Sequence, residues 1–172
     1  YTSAMPHATL SDAIQDYLRA AYALGAGGGR ITTTGLARAV AVSPASTSAM
    51  VKKLALLGLV THEPYHGIEL TPAGERVALE VIRHHRLLEL YLAETLGIAV
   101  DEVHDEADRL EHAVSERLIE RMDEMLDRPA VDPHGDPIPT AALLVRTLDY
   151  PTLADLGDGE IGIRCRVARI AD

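Results

Sequence analysis

Apolar side chains recur at helical spacing from the first structured stretch onward. Ile14, Tyr17, Leu18, Ala21 and Tyr22 follow Ser11, a good N-cap, until the glycines from Gly25 to Gly29 interrupt the pattern. A second short helix is expected through Leu36, Ala37 and Val40, capped by Thr33 or Thr34. A third is expected from Pro44 to Leu57, with Ser43 as N-cap, proline in the first turn and Gly58 as a left-handed stop. Two short helices joined this closely read as helix-turn-helix. Val60 to Glu63 and Ile68 to Leu70 then flank Pro64-Tyr65-His66-Gly67, which predicts two short strands and a turn, the wing.

Beyond Thr71-Pro72 the pattern becomes more helical still. Val77, Val81, Leu87, Leu88, Tyr91 and Leu92 predict one long helix ending at Gly97. Asp101 is expected to cap a helix carrying Val103, Ala107, Leu110 and Val114, and Ser115 a further one through Leu118, Met122 and Met125. Pro129, Pro133, Pro137 and Pro139 forbid regular structure and read as a stiff connector. Ile161, Ile163, Cys165, Val167 and Ile170 alternate as in a strand, which cannot fold alone. The expected fold is therefore mainly α. A winged helix-turn-helix at 5–76 precedes an all-α metal-binding and dimerisation domain at 77–140, and a linker with an incomplete β domain occupies 141–172.

Charge divides the chain in the same place. The 172 residues carry a formal charge of −10, which on its own disfavours nucleic acid. Yet residues 1–76 hold six Lys/Arg against five carboxylates, while 77–172 hold ten against twenty-one. The first part is near neutral and the second strongly acidic, so DNA affinity is expected to be modest and steeply salt-dependent unless something reinforces it. No apolar run approaches the roughly 20 residues of a membrane span, and the N-terminus lacks signal-peptide character, so the expected compartment is the cytoplasm. One cysteine, Cys165, can form neither an internal disulfide nor a thiolate-rich zinc site. Any metal must be held by oxygen and imidazole.

At the start of the third helix Ser43, Pro44, Ala45, Ser46, Ser48 and Ala49 are small enough to admit the backbone to a major groove. Their hydroxyls can meet phosphates or base edges, and Arg38, Lys52 and Lys53 suit the flanking backbone. No Arg or Gln stands ready for bidentate base contact, so part of the readout is expected to depend on DNA shape. A protein-binding module on the same fold is the competing interpretation.

Asp108, Glu111 and His112 lie at i, i+3 and i+4, which places two carboxylates and an imidazole on one helix face. His85 and Glu89 repeat the i, i+4 pattern on the preceding helix, and His104 can join them. A divalent cation would relieve the crowding of such groups. On spacing alone, a solvated acidic face with incidental histidines accounts for the pattern equally well.

Six segments occur in the order found in one family. They are Asp16-Tyr17-Leu18-Arg19, Leu70-Thr71-Pro72-Ala73-Gly74, His85-Arg86-Leu87-Leu88-Glu89, Val103-His104-Asp105-Glu106-Ala107, Leu110-Glu111-His112 and Asp132-Pro133-His134-Gly135-Asp136-Pro137-Ile138-Pro139. From about Asp12 to its end the sequence resembles the diphtheria-toxin-repressor family, which includes the MntR manganese regulators. The resemblance implies a homodimeric repressor of double-stranded operator DNA and identifies the incomplete C-terminal domain as SH3-like. It also implies a primary metal site of Asp16, Asp108, Glu111 and His112, and an ancillary site of His85, Glu89 and His104. Iron-type members resemble this chain but carry Met and Cys where Asp16 and Asp108 stand. Hard oxygen donors at both positions favour Mn²⁺ over Fe²⁺. Arg19 replaces a further carboxylate of manganese-type members, which implies a separate ancillary site in place of a closely spaced two-metal cluster. An iron-dependent repressor, a metal-dependent hydrolase and a small-molecule-responsive winged-helix regulator are the alternatives. No His-Glu-x-x-His motif, nucleophile elbow or phosphate-cradling loop supports catalysis.

Overall fold

The computed structural model describes residues 10–26, 30–63 and 67–147. The strand expected between Ile161 and Ile170, the tip of the wing at 64–66 and the glycines at 27–29 lie outside the described residues. The elements in chain order are α1 (Asp12–Ala26), α2 (Thr33–Ala39), α3 (Pro44–Leu56), β1 (Val60–Glu63), β2 (Gly67–Leu70), α4 (Pro72–Leu96), α5 (Val103–Leu110) and α6 (Glu116–Met125). Two compact units divide within α4, one up to Ile82 and one from Arg83.

The core of the first unit is built from one face of each element. Ile14, Leu18 and Ala21 of α1, Leu36 of α2, Val51 and Leu54 of α3, Val60 and Ile68 of the hairpin and Val77 and Ala78 of α4 cluster out of solvent. Burying a Leu, Ile or Val side chain is worth about 1.5–3 kcal/mol, so this cluster is the main stabilising term of the unit. β1 and β2 pair antiparallel, Val60 opposite Leu70 and Glu63 opposite Gly67. Ile68 N–H donates to the Ile31 carbonyl at 2.9 Å, tying the hairpin to the segment before α2. Gly67, at φ +99°, lets that strand approach, because a Cβ there would meet the Ile31 carbonyl oxygen at 2.8 Å.

Local signals explain most boundaries. The Ser43 hydroxyl accepts the Ser46 N–H at the start of α3, Pro44 follows, and Gly58 at φ +70° stops the helix. The Thr71 hydroxyl accepts from Gly74 N–H and donates to the Gly58 carbonyl, so it caps α4 and fastens it to the end of α3. Two caps differ from expectation. Thr32, not Thr33 or Thr34, caps α2 by accepting from Gly35 N–H, and α5 begins behind Glu102 without a side-chain cap.

In the second unit Leu87, Leu88 and Leu90 of α4, Ala107 of α5, Ile119 and Met122 of α6 and Ile138 form a separate core. The proline-rich segment is no mere connector. It folds back on α4, where buried Arg83 donates to the Pro139 carbonyl at 2.7 Å and to Asp123 of α6 at 2.8 Å. Arg86 donates to the Pro137 carbonyl and faces Asp132 at 3.4 Å. Among the described residues no helix is long and apolar enough to cross a membrane.

Candidate metal centre and DNA-reading helix

α4 presents His85 and Glu89 one turn apart, both buried, and α5 presents His104 and Asp108 one turn apart, both solvent-accessible. The two helices bring these pairs together. His85 Nε2 lies 3.0 Å from Glu89 Oε1 and 3.1 Å from His104 Nδ1, and His104 Nδ1 lies 3.0 Å from the same Glu89 oxygen. On the other edge of the ring, His85 Nδ1 lies 2.7 Å from Glu111 Oε2 and 3.4 Å from Asp108 Oδ1. His112 Nε2 stands 3.4 Å from Glu111 Oε1. One imidazole therefore faces two donor clusters, His85-Glu89-His104 and His85-Asp108-Glu111, each grouped closely enough to hold a metal ion.

Asp108, Glu111 and His112 do not share one regular helix, as their spacing had suggested. α5 ends at Leu110, and the N–H groups of Ala113 and Val114 both turn back to the Leu110 carbonyl. Glu111 retains helical angles as the C-cap and is only 2% exposed, so its carboxylate still faces the α4 histidine.

The electrostatics are those of an imidazole between carboxyl groups. Burial works against a charged His85, but hydrogen bonds and charge attraction from Glu111 and Glu89 outweigh it and raise its pKa to about 9. Burial likewise works against ionised Glu89, yet its contacts with His85, His104 and His134 hold the carboxyl below its ordinary range. With its pKa raised to about 9, His85 is protonated at neutral pH, between the carboxyl groups of Glu89 and Glu111. A divalent cation supplies the same neutralisation, so the donor set fits one, and coordination at Nε2 must displace a proton.

This exchange fixes a pH dependence. His85 has a folded pKa above its unfolded value of 6.5, so its contribution to stability is complete below that pH and is lost as pH rises toward 9. Over the same window apparent metal affinity is expected to rise, by up to about tenfold per pH unit for one displaced proton. Calorimetric titration in buffers of differing ionisation enthalpy checks this. About one proton released per ion is expected, and a buffer-independent heat would contradict it.

Asp16, expected as a primary ligand, lies half-buried on α1 in the first unit, and its neighbour Tyr17 faces the core. The Thr47 hydroxyl, fully buried on α3, donates to the Ser43 carbonyl at 3.1 Å. Tyr17 is therefore the donor in its 3.2 Å bond to Thr47 Oγ1. That bond locks α1 to α3. On the opposite face of α3, Ala45, Ser46, Ser48, Ala49, Lys52 and Lys53 are exposed, as are Ser43, Pro44 and Arg38. The serine hydroxyls are occupied within the helix: Ser43 and Ser46 pair at 2.9 Å, and Ser48 donates to the Pro44 carbonyl at 2.8 Å. Contact with DNA would have to exchange or share these bonds.

Two family models match along the chain. Residues 9–68 match the N-terminal DNA-binding domain of iron-dependent repressors, and 71–140 their metal-binding and dimerisation domain. An HTH-type transcriptional regulator of Methanocaldococcus jannaschii is 38% identical over 114 residues, covering 66% of this chain and 91% of that one. The diphtheria toxin repressor of Corynebacterium efficiens is 36% identical over 133 residues, covering 77% of this chain and 58% of that one. The chain belongs to the diphtheria-toxin-repressor family. Its winged helix-turn-helix followed by a helical domain is the architecture of that family of metal-dependent DNA-binding repressors. Among solved structures of the family, a manganese-dependent transcriptional repressor in complex with manganese is 45% identical. It superposes with a TM-score of 0.73, covering 79% of this chain and 63% of that one. The chain thus spans somewhat under two thirds of the length of these repressors.

Sequence reasoning missed two members of the constellation. Arg86 pins the proline-rich loop to α4, and His134 on that loop places Nε2 3.8 Å from Glu89 Oε1. The signal available was the segment Asp132–Pro139 itself, in which Asp132 is buried and accepts the N–H groups of His134 and Asp136, both at 2.9 Å. Burial is the chief reason that Asp132 sits above its ordinary pKa, with the Asp136 N–H and Arg86 only partly offsetting it.

Proposed function

We propose that this protein is a manganese-activated repressor that binds operator DNA as a homodimer in the cytoplasm and controls manganese-uptake genes. The observation that carries the reading is the cluster of carboxylates and imidazoles that α4, α5 and the α5 C-cap bring together around His85, with Glu89 at 3.0 Å, His104 at 3.1 Å and Glu111 at 2.7 Å. In this reading the primary ion takes Asp16 from the DNA-binding domain and Asp108, Glu111 and His112 from the helical domain. The ancillary ion takes His85, Glu89 and His104. The preference for Mn²⁺ over Fe²⁺ rests on Asp16 and Asp108, hard donors without thiolate or thioether.

The residues around Asp16 say how occupancy could reach DNA. α1 is bolted to α3 by the Tyr17–Thr47 bond, so restraining Asp16 restrains the helix whose other face carries Arg38, Ser43, Pro44, Ala45, Ser46, Ser48, Ala49, Lys52 and Lys53. A dimer reading successive major grooves needs its recognition helices about 34 Å apart, so fixing their orientation becomes affinity. The dimer itself is supported by exposed Leu118 and Met125, two turns apart on one face of α6.

The test is titration of chelator-treated protein with Mn²⁺, Fe²⁺, Co²⁺ and Zn²⁺ while operator binding is followed. Mn²⁺ is expected to raise affinity about 100-fold, a coupling of about 2.7 kcal/mol, and operator DNA must tighten Mn²⁺ binding by the same factor. DNA binding indifferent to every ion would overturn the reading. A response to Fe²⁺ but not Mn²⁺ would move the protein to the iron-responsive branch.

A further inference from the structure

We propose that Lys52 and Lys53 form an acylation site, at which an activated acyl group carried by phosphate or by a thiol is transferred to the ε-amine and operator DNA is released. The proposal rests on the reading that the exposed face of α3 meets DNA. It adds an input that does not act through the metal.

The sequence carries sixteen cationic side chains, of which Lys52 and Lys53 are the only lysines and the other fourteen are arginines. Where the second unit holds a fixed cation it uses arginine: Arg83 on Asp123, Arg86 on Asp132, Arg109 on Glu106 and Arg121 on Glu124. A guanidinium stays charged and grips phosphate through two N–H groups, whereas an ammonium is a point charge whose amine can be acylated. For DNA affinity alone, arginine would serve as well at 52 and 53. The sequence thus places both of its side-chain amines on the helix proposed to read DNA.

Thr47, Val51 and Leu54 turn α3 toward the core, and at about 100° per residue the opposite line runs through Ala45, Ala49 and Leu56. Lys52 and Lys53 lie on either flank of that line, and both are exposed. α3 carries no carboxylate, so neither ammonium finds an ion-pair partner within its own helix. Ala45, Ser48 and Ala49 beside them are small and exposed, which leaves an acyl donor an open approach.

The step is an acyl transfer. After one proton leaves for solvent, the ε-amine attacks the acyl carbon. A C–N amide bond forms, the C–O bond to phosphate or the C–S bond to the thiol breaks, and the second amine proton goes with the leaving group. The product side chain is neutral. Residues 1–76 hold six Lys/Arg against five carboxylates, so two acylations take this part from one excess positive charge to one excess negative charge. One phosphate contact contributes about 0.9 to the salt slope of DNA binding, which is about eightfold in affinity at roughly 0.1 M salt. None of the residues proposed as metal ligands carries an amine, so the modification leaves the ligand set intact.

The test treats the Mn²⁺-loaded full chain with acetyl phosphate in one arm and acetyl-coenzyme A in the other. Mass spectrometry maps the acetyl groups, with the N-terminal α-amine as internal reference, and fluorescence anisotropy gives operator affinity across a salt series before and after treatment. Both lysines are expected to take up acetyl from at least one donor, which identifies the source. Affinity is expected to fall about eightfold and the salt slope by about 0.9 for each modified lysine. The double variant Lys52→Arg, Lys53→Arg is expected to keep through the same treatment whatever affinity it starts with. The proposal is overturned if both lysines stay unmodified while the α-amine is acetylated, or if the modified protein keeps its affinity and slope. A fall in the arginine variant as well would place the effect elsewhere and also overturn it. The double variant Lys52→Gln, Lys53→Gln, at exposed positions that leave the core untouched, separates the two kinds of failure. Weakened operator binding there keeps α3 as the DNA-reading face, whereas wild-type affinity and slope remove that reading too.

Discussion

Replacing Asp16 by alanine is expected to abolish the roughly 100-fold stimulation of operator binding by Mn²⁺, while leaving metal-free DNA affinity within a few-fold of wild type. Asp16 is half-buried on α1 and its side chain takes no part in the core formed by Ile14, Leu18 and Ala21, so the fold should tolerate the change. What is lost in this account is the one carboxylate that the DNA-binding domain offers to the primary ion. An ion held only by Asp108, Glu111 and His112 binds the two conformational states of the reading head equally, and a ligand without differential affinity shifts nothing. Mn²⁺ would still bind, more weakly, and DNA would no longer respond. Gel-shift or fluorescence anisotropy titrations with and without Mn²⁺ measure the ratio directly. A ratio unchanged from wild type would remove Asp16 from the metal site.

Arg83→Met is expected to lower the stability of the second unit by roughly 3 kcal/mol, with a fall in thermal midpoint on the order of 10 °C. The side chain is 7% exposed and satisfies two partners, the Pro139 carbonyl and Asp123, so its loss leaves an anionic carboxylate and a buried carbonyl without their donor. Methionine fills most of the volume, which confines the loss to the polar term. The same substitution is expected to loosen the proline-rich segment from α4. A midpoint within about 2 °C of wild type would mean that Arg83 is not what anchors that segment.

What could be seen in the sequence was whatever a local rule encodes. Ser43 before Pro44, and Gly58 after Leu57, leave the backbone few choices, and α3 starts and stops where they dictate. Thr32, Thr33 and Thr34 offer three nearly equivalent caps. The choice of Thr32 follows from the close approach of its hydroxyl to Gly35 N–H, at 3.0 Å, which composition cannot rank. The i, i+4 pair His85 and Glu89 was legible because α4 is long and regular. Its meeting with His104 and Glu111 depends on how α4 and α5 pack, and spacing within either helix left a solvated acidic face equally open. His134 was illegible for a different reason. The prolines suppress any period, and the position of the ring follows from Asp132 folding the loop around its own carboxylate and from Arg86 holding that loop down. Buried polar side chains, more than apolar ones, decide where this segment lies.

In the proposed mechanism one ion takes ligands from both domains at once. Anomalous diffraction at the manganese edge, on crystals of the full chain grown with Mn²⁺ and operator DNA, measures it most directly. An anomalous peak is expected within coordination distance of an Asp16 carboxylate oxygen and of Asp108, Glu111 and His112. A peak coordinated by the helical domain alone, with Asp16 turned away from it, would rule out a shared ion.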